Sequence, residues 1–469
     1  MFFPRLLPIS CLWALGVYAQ SDSGSVSQTI LTGTPSETVP TGSYLSYSST
    51  ITLPSPTSSA ISTETLLSTI TSDRTTRTTT LGTTTIFGIN EATIASNTTG
   101  TRSSTTASQY LLTGAGHSTT MTATASAING TSNSTATSTS SSVEPTNTTP
   151  CNNYVEFCGR SYDNITEVAA HNSPFVRSGN AAANQALPVT TQLNDGIRLL
   201  QGQMHFNGSV PHFCHTSCDI LDAGPITEYL DTVYSWVSTH PFDVVTIILE
   251  NGDYRPVTDY VSFIESTGLV QYAYEPPKIP MALGDWPTLA SMILTGKRVV
   301  FFMDYDANQT AVPWILDEFS QVWETPFDPT DRSFPCDTQR PPNLSSEDAK
   351  TRMYLTNHNL NYDVSILGNS LLVPNIPLLN VTNNVTGSGS LGEGAQVCYN
   401  DWNFPPKFLN VDYYNVGNGS VFQVAAKWNN VTYNRQCCGL VASVGDRSFQ
   451  TMKLAAVLVA GFVMVVNLI

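Results

Sequence analysis

The run Val244-Val245-Thr246-Ile247-Ile248-Leu249 would present apolar side chains on both faces of a strand. Strands that are apolar on both sides belong to parallel sheets covered by helices. Further strand candidates are Leu199 to Phe206, Val299 to Met303, Met353 to Thr356 and Phe408 to Val411. Ile226, Leu230, Val233 and Val237 recur at helical spacing, in a segment opened by Gly224-Pro225. Alternating strand and helix predicts either a (β/α) barrel or a doubly wound sheet.

The polar residues that end these runs separate the two. His171, Gln203, Glu250, Asp304, His358 and Asp412 each sit at or just past an apolar strand candidate. Polar groups from many strand ends describe loops around one mouth, as in a TIM barrel. A doubly wound sheet would favour a Gly-rich phosphate loop at its first turn, and the sequence shows none there. The predicted fold is α/β, a TIM barrel over residues 151–440 preceded by a disordered Ser/Thr-rich stalk.

Composition sets those limits. Half of residues 21–150 are Ser or Thr, and the tract holds no Cys and few charges. Such a chain cannot bury enough apolar surface to offset its conformational entropy, so residues 20–150 read as an O-glycosylated stalk. Short apolar islands such as Thr85-Ile86-Phe87-Gly88-Ile89 interrupt it. Before it, Arg5, the apolar run Leu6 to Val17 and the small-residue site Val17-Tyr18-Ala19 predict a signal peptide over 1–19.

After the domain, residues 441–469 end in the apolar stretch Leu454 to Ile469 with no basic tail. They predict a glycosylphosphatidylinositol signal, with a single-pass helix as the alternative. The expected product runs from near Gln20 to near Ser443, secreted and held at the cell surface or cell wall by a lipid anchor. A net charge of −16 disfavours nucleic acid as a partner.

The eight cysteines outside the signal all lie between Cys151 and Cys438, an even number that predicts disulfides. Adjacent Cys437 and Cys438 are expected to reach separate partners, since a bond between neighbours is strained. Cys214 and Cys218 fit a clip bracketing His215. The cluster of His212, Cys214, His215 and Cys218 also has zinc-like spacing, but an oxidising compartment favours the clip. Asn164, Asn207, Asn308, Asn343, Asn380, Asn384, Asn418 and Asn430 each begin an Asn-x-Ser/Thr sequon in the domain.

Chemistry centres on Ala169-Ala170-His171-Asn172-Ser173 and Phe213-Cys214-His215-Thr216-Ser217-Cys218. Two imidazoles that titrate near neutrality can serve as base and acid in the in-line cleavage of a phosphodiester. His171 could instead be a hydrogen-bonded core residue, and Glu250, Asp304 and Asp412 structural acids. His358 fits a role satisfying loop backbone groups.

These segments resemble a known family. His-Asn-Ser at 171–173, Gln192-Leu193-Asn194-Asp195-Gly196-Ile197-Arg198, the second histidine and His240-Pro241-Phe242-Asp243-Val244-Val245 are similar to the X-domain of phosphatidylinositol-specific phospholipases C. The secreted fungal branch, the PLC-like phosphodiesterases, is most similar. Gly296-Lys297-Arg298-Val299-Val300, Met303-Asp304-Tyr305, Trp323 to Pro329 and Asn357 to Asn361 extend the resemblance over nearly all of 151–438.

The resemblance implies a TIM barrel, with His171 as base towards the attacking hydroxyl and His215 as acid towards the leaving alkoxide. His212 is the runner-up for the acid. Asn172 matches a phosphate or metal position, and Glu250 matches a ligand of the calcium-dependent branch. Asp304 and Asp412 match acids that orient the head group or an imidazole. Where active relatives carry acidic calcium ligands or an arginine, this chain has Gln201-Gly202-Gln203. Calcium wants several carboxylates, so a weak or differently charged site, an altered substrate, or a barrel retained for binding or structure is expected, with calcium as a possible cofactor.

Two function classes follow. One is an anchored phosphodiesterase acting on phosphatidylinositol-like or other phosphodiesters, with a phospholipid head group as partner. The other is an inactive barrel serving as a binding or structural wall glycoprotein. A glycerophosphodiesterase-like enzyme ranks lower, since it needs acidic metal ligands near Gln201 and Gln203.

Overall fold

A computed structural model describes residues 42–53, 58–72, 75–89, 148–366 and 369–439. The expected signal peptide and anchor signal lie outside the described residues. Among those described, no helix is long and apolar enough to cross a membrane.

Eight parallel strands form the frame: β1 Glu167–Ala170, β2 Leu199–Asn207, β3 Val245–Asn251, β4 Val299–Met303, β5 Ile315–Asp317, β6 Val322–Glu324, β7 Met353–Asn357 and β8 Phe408–Val411. Their spatial order is β5-β4-β3-β2-β1-β8-β7-β6. Each strand thus lies beside its sequence neighbours, and β8 returns to pair with β1 from Phe408↔Glu167 to Val411↔Ala170. This is the cyclic order of a TIM barrel.

One seam departs from it. Among the described residues no ladder joins β5 to β6, which segment 318–321 links directly. Parallel neighbours need a crossover of a dozen residues or more, and four cannot supply it. Both strands are only three residues long. The short apolar stretches at 315–317 and 322–324 were therefore not among the sequence-derived strands.

Elsewhere helices cover the sheet: α1 Val189–Asp195, α2 Ile226–Thr239, α3 Thr258–Ser266, α4 Leu289–Thr295, α5 Leu391–Trp402 and α6 Ser420–Trp428. Helix α2 buries Ile226, Leu230, Val233 and Val237, the four residues whose spacing predicted it. Strand β3 is buried at every position, as its two-sided apolarity requires. Its Val245, Ile247 and Leu249 join the layer that packs against the helices, while Ile248 joins the barrel interior. Each fully buried aliphatic side chain of this kind stabilises the fold by about 1.5–3 kcal/mol.

The interior is layered by the two-residue period of a strand. Ala169, Leu199, Ile248, Phe302, Val322, Leu355 and Phe408 share one apolar cluster. Two residues further along each chain stand His171, Gln201, Glu250, Asp304, Glu324, Asn357 and Asn410. The inward face therefore changes from an apolar floor to a polar layer at the carboxyl ends of the strands.

Disulfides join Cys151–Cys158, Cys214–Cys218 and Cys336–Cys398. The clip around His215 is as expected, and it removes Cys214 and Cys218 as zinc ligands. Cys437 and Cys438 are bonded to each other, against the expectation of separate partners. The other six cysteines of the domain are paired among themselves, which leaves these two only each other.

Two parts of the Ser/Thr-rich tract are described, 42–53 and 58–89 without 73–74. Ser58–Ser72 and Thr75–Ile89 form an antiparallel hairpin that includes the island at 85–89. Residues 42–53 lie against the barrel. Ile51 and Thr52 pair antiparallel with Ile279 and Lys278, and Leu53 is buried and donates its N–H to the Pro277 carbonyl at 2.8 Å.

The ring of Tyr44 lies 4.9 Å from Phe319, in the linker at the open seam, and 5.5 Å from Tyr305. Gly42 passes so close to the Tyr305 ring that an added Cβ would lie 2.0 Å from it. The aromatic and aliphatic residues at 44, 51 and 53 supply apolar surface that their Ser/Thr neighbours lack. This segment straps the seam that β5 and β6 leave unpaired.

Replacing Tyr44 with Ala is expected to lower stability by about 1–3 kcal/mol, the range for two aromatic pairings. It should also accelerate amide exchange at Leu53 and across 318–321. Unchanged exchange at both places would show that the strap does not support the seam.

Candidate active site

His171 immediately follows β1, and its N–H continues the ladder by donating to the Val411 carbonyl at 3.1 Å. Its ring is held by Asp412, which stands at the equivalent position after β8, with Nδ1···Oδ1 at 2.8 Å. Asn184 donates to the same carboxylate oxygen at 2.9 Å. Gln185 bridges the carbonyls of His171 and Val411 at 2.8 and 2.9 Å, locking the two strand ends together. The Asp412 bond leaves Nε2 to face the mouth, where the amides of Asn172 and Asn359 approach it at 3.2 and 3.4 Å.

Burial opposes protonation of His171. The charge and hydrogen bond of Asp412, helped by Glu250 and Asp328, outweigh it and hold the imidazole above its ordinary pKa.

His215 arrives from a different element. Beyond the barrel, β2 turns back into the antiparallel strand Val210–Cys214, and the Cys214–Cys218 bond closes a loop of five residues with His215 inside. Gly202 makes this fold-back possible, because a Cβ there would lie 2.8 Å from the Phe213 ring. The Thr216 N–H donates to Gln203 Oε1 at 2.8 Å, which pins the loop to β2. Phe175 packs edge-on against the His215 ring at 5.2 Å between centroids.

Burial, and then the nearby His171 charge, lower the His215 pKa to about 4. The two imidazoles thus feel each other across the mouth, with their affinities for a proton driven apart.

Below them the polar layer is one continuous chain. Gln201 donates to Glu250 at 2.5 Å and accepts from Asn410 at 2.8 Å. Asn410 donates to Asn357 at 3.1 Å, and Asn357 donates to Glu324 at 3.2 Å. Arg340 then joins Glu324 at 3.0 Å to Asp304 at 3.2 Å. Asp304 accepts two further bonds from the N–H groups of Asn251 and Tyr305. Burial, then Asp304, raises Glu250 to about 7. Burial also raises Asp304 to about 6, against the pull of Arg340.

Arg340 supplies a buried cation that Gln201 and Gln203 do not. It comes from the β6–β7 connection, lies fully buried, and stacks over Phe327 at 4.2 Å. Its reach depends on tertiary folding, so the strand pattern gave no signal for it. Glu324, Asn357 and Asn410 were also missed as site residues, although the two-residue spacing from Val322, Leu355 and Phe408 marks them.

Of the predicted residues, His171, Asn172, Gln201, Glu250, Asp304 and Asp412 gather in or beside this layer. Gln203 serves the His215 loop instead of the layer. His212 is occupied by Asp222 at 2.9 Å within the hairpin. His358 stacks on Phe334 at 3.6 Å, and burial lowers its pKa to about 3. Both are structural.

The donors do not fit a calcium ion. Asp304 and Glu324 are bridged by Arg340, and the Gln201 amide donates to Glu250. Unpartnered oxygens remain on Asn172, Glu318, Glu324 and Asp412, but Glu324 is held by Arg340 and Asp412 by His171, which leaves fewer free carboxylates than calcium requires.

Several known proteins are similar to this chain. The family profile described as PI-PLC X 1 matches residues 157–429. An Arthroderma benhamiae protein named "Uncharacterized secreted protein" is 54% identical over 346 residues, 73% of this chain and 78% of that one. The "PI-PLC X domain-containing protein 1" of the same organism is 40% identical over 270 residues, 57% of this chain and 86% of its own. The solved phosphatidylinositol-specific phospholipase C from Listeria monocytogenes aligns over 59% of this chain and 96% of its own, with a TM-score of 0.40 and 10% identity. With its profile match spanning more than half the sequence and both histidines, the chain belongs to the PI-PLC X family.

Proposed function

We propose that this chain is a secreted, lipid-anchored phosphodiesterase that cleaves phosphatidylinositol-like or related phosphodiesters with two histidines. The observation that carries the reading is the His171–Asp412 pair at 2.8 Å, near enough to the His215 imidazole for its charge to be felt there. A carboxylate on Nδ1 fixes the tautomer and stabilises the imidazolium that forms when Nε2 takes a proton. His171 accepts the proton of the attacking hydroxyl as the new P–O bond forms. His215 gives its proton to the leaving oxygen as the old P–O bond breaks; because the proton affinities favour His171, the reacting form is the minor arrangement of the singly protonated pair, with the proton on His215.

Asn172 and Gln201 line the phosphate, Gln203 holds the acid's loop, and Glu250 and Asp304 meet the hydroxyls of the head group. Secretion is supported by the name of the 54% identical relative, a secreted protein. The anchor rests on the terminal sequence alone.

The electrostatics set the pH range. The lower limb of kcat/KM follows His215, at about 4 in the free protein, and the upper limb follows His171, above the ordinary histidine value. A bell-shaped profile with an acidic to near-neutral optimum is expected. Glu250, protonated below about 7, repels a diester anion less on the acidic side, which pushes the optimum the same way. An optimum above pH 8 would reject this pairing.

A second reading, an inactive binding barrel, draws on the same layer. Glu250, Asp304 and Glu324 outnumber the single Arg340, which disfavours an anionic transition state. Assay of the purified protein against its His171→Ala and His215→Ala variants separates the two.

A further inference from the structure

All eight sequon asparagines of the domain are exposed. The asparagines that line the mouth, Asn172, Asn357, Asn359 and Asn410, are buried and begin no sequon. The exposed acceptors are also unevenly placed. Asn207 ends β2, Asn308 follows β4, Asn380 and Asn384 lie between β7 and α5, and Asn418 follows β8. These five emerge at the carboxyl ends of the strands, the face that carries the two histidines.

The same rim exposes three apolar side chains: Tyr254 after β3, and Tyr362 and Ile376 after β7, at 46%, 39% and 50% exposure. Such residues would let a bare rim seat on a lipid surface. Tyr254 and Ile376 lie close to acceptors in space or in sequence. Tyr254 and Asn308 line one groove of about 450 Å³. Ile376 precedes Asn380 by four residues, and the Asn383 side chain fixes this segment to the Asp412 and Tyr413 carbonyls at 3.0 Å.

We propose that Asn207, Asn308, Asn380, Asn384 and Asn418 carry N-linked glycans forming a collar around the mouth. Glycans are bulky and hydrophilic, and at these positions they hold the rim away from a bilayer. The substrate class is then a phosphodiester that reaches into the mouth from solution, or on an extended head group, and not a lipid lying flush in a membrane. This deepens the phosphodiesterase reading and rests on it for the substrate, but not for the collar.

The test uses protein from a secreting eukaryotic host with any anchor lipid removed, so that vesicle binding reports on the rim. Glycopeptide mass spectrometry should find the five asparagines occupied. Three forms are then compared: the native glycoprotein, the same folded protein trimmed enzymatically, and a variant with all five changed Asn→Gln. Each is assayed for co-sedimentation with phosphatidylinositol/phosphatidylcholine vesicles, and for cleavage of those vesicles and of a water-soluble inositol phosphodiester. Loss of the collar should raise vesicle binding and vesicle cleavage roughly tenfold, equivalent to about 1.4 kcal/mol. Cleavage of the soluble diester should stay unchanged.

Unoccupied sequons overturn the collar, as does equal vesicle binding by native and trimmed protein. If no form cleaves either substrate, the phosphodiesterase reading fails, while occupancy and vesicle binding still decide the collar.

Discussion

Alanine at His171 or at His215 should lower kcat/KM by about 10²–10⁴-fold each, the usual contribution of a general acid or base. The two losses should not multiply, because the groups act in one proton-transfer sequence. His171→Ala should also leave Asp412 without its imidazole partner, so Asp412→Asn should reproduce part of the loss by freeing the ring to turn. Steady-state kinetics on a soluble phosphodiester provide the check. Wild-type rates in both histidine variants would remove the pair from the chemistry.

The second large effect is on stability. Arg340 is the only cation between Asp304 and Glu324 among the described residues, and all three are buried. Removing one partner of a buried ion pair costs about 3–5 kcal/mol, because the remaining charge has no compensation. Arg340→Met should therefore lower the unfolding free energy by that amount. A triple variant that adds Asp304→Asn and Glu324→Gln should recover most of it.

The sign of the pH dependence follows from Asp304. Its folded pKa is raised to about 6 even with Arg340 present. Such a carboxyl makes stability fall as pH climbs from its unfolded value of about 3.9 towards the folded one. Losing Arg340 moves the folded value higher, so the defect of the single variant should deepen towards neutral pH and shrink in acid. Denaturant unfolding at two pH values measures this. A single variant within about 0.5 kcal/mol of wild type, the range of an ordinary surface change, would mean that Arg340 is not the keystone of the layer.

Much of the barrel was legible because its strands obey simple periods. Val299–Met303 and Phe408–Val411 were bounded correctly from apolarity alone. β3 extends two residues beyond its apolar run, to Asn251, because the polar layer is still part of the ladder. The strand-end rule placed His171, Glu250, Asp304 and Asp412 at the mouth. Applying the same inward phase to β6, β7 and β8 would also have picked Glu324, Asn357 and Asn410.

Arg340 could not be read this way, since it arrives by a long connection whose path is set by packing on Phe319 and Phe327. The strap at 42–53 was hidden for a related reason. Its few apolar residues are diluted by Ser and Thr, and only the unpaired seam gives them something to cover. The Cys437–Cys438 bond escaped because strain alone was weighed, without the pairing of the other six cysteines of the domain.

The central claim is that this mouth cleaves a phosphodiester with its own histidines and without a resident metal. The most direct measurement follows phosphorus resonances of a water-soluble inositol phosphodiester incubated with purified protein at pH 5–7 in excess calcium chelator. The account predicts turnover that chelator leaves unchanged and that either histidine substitution removes. No turnover across that range, or turnover that appears only when calcium is restored, would contradict it.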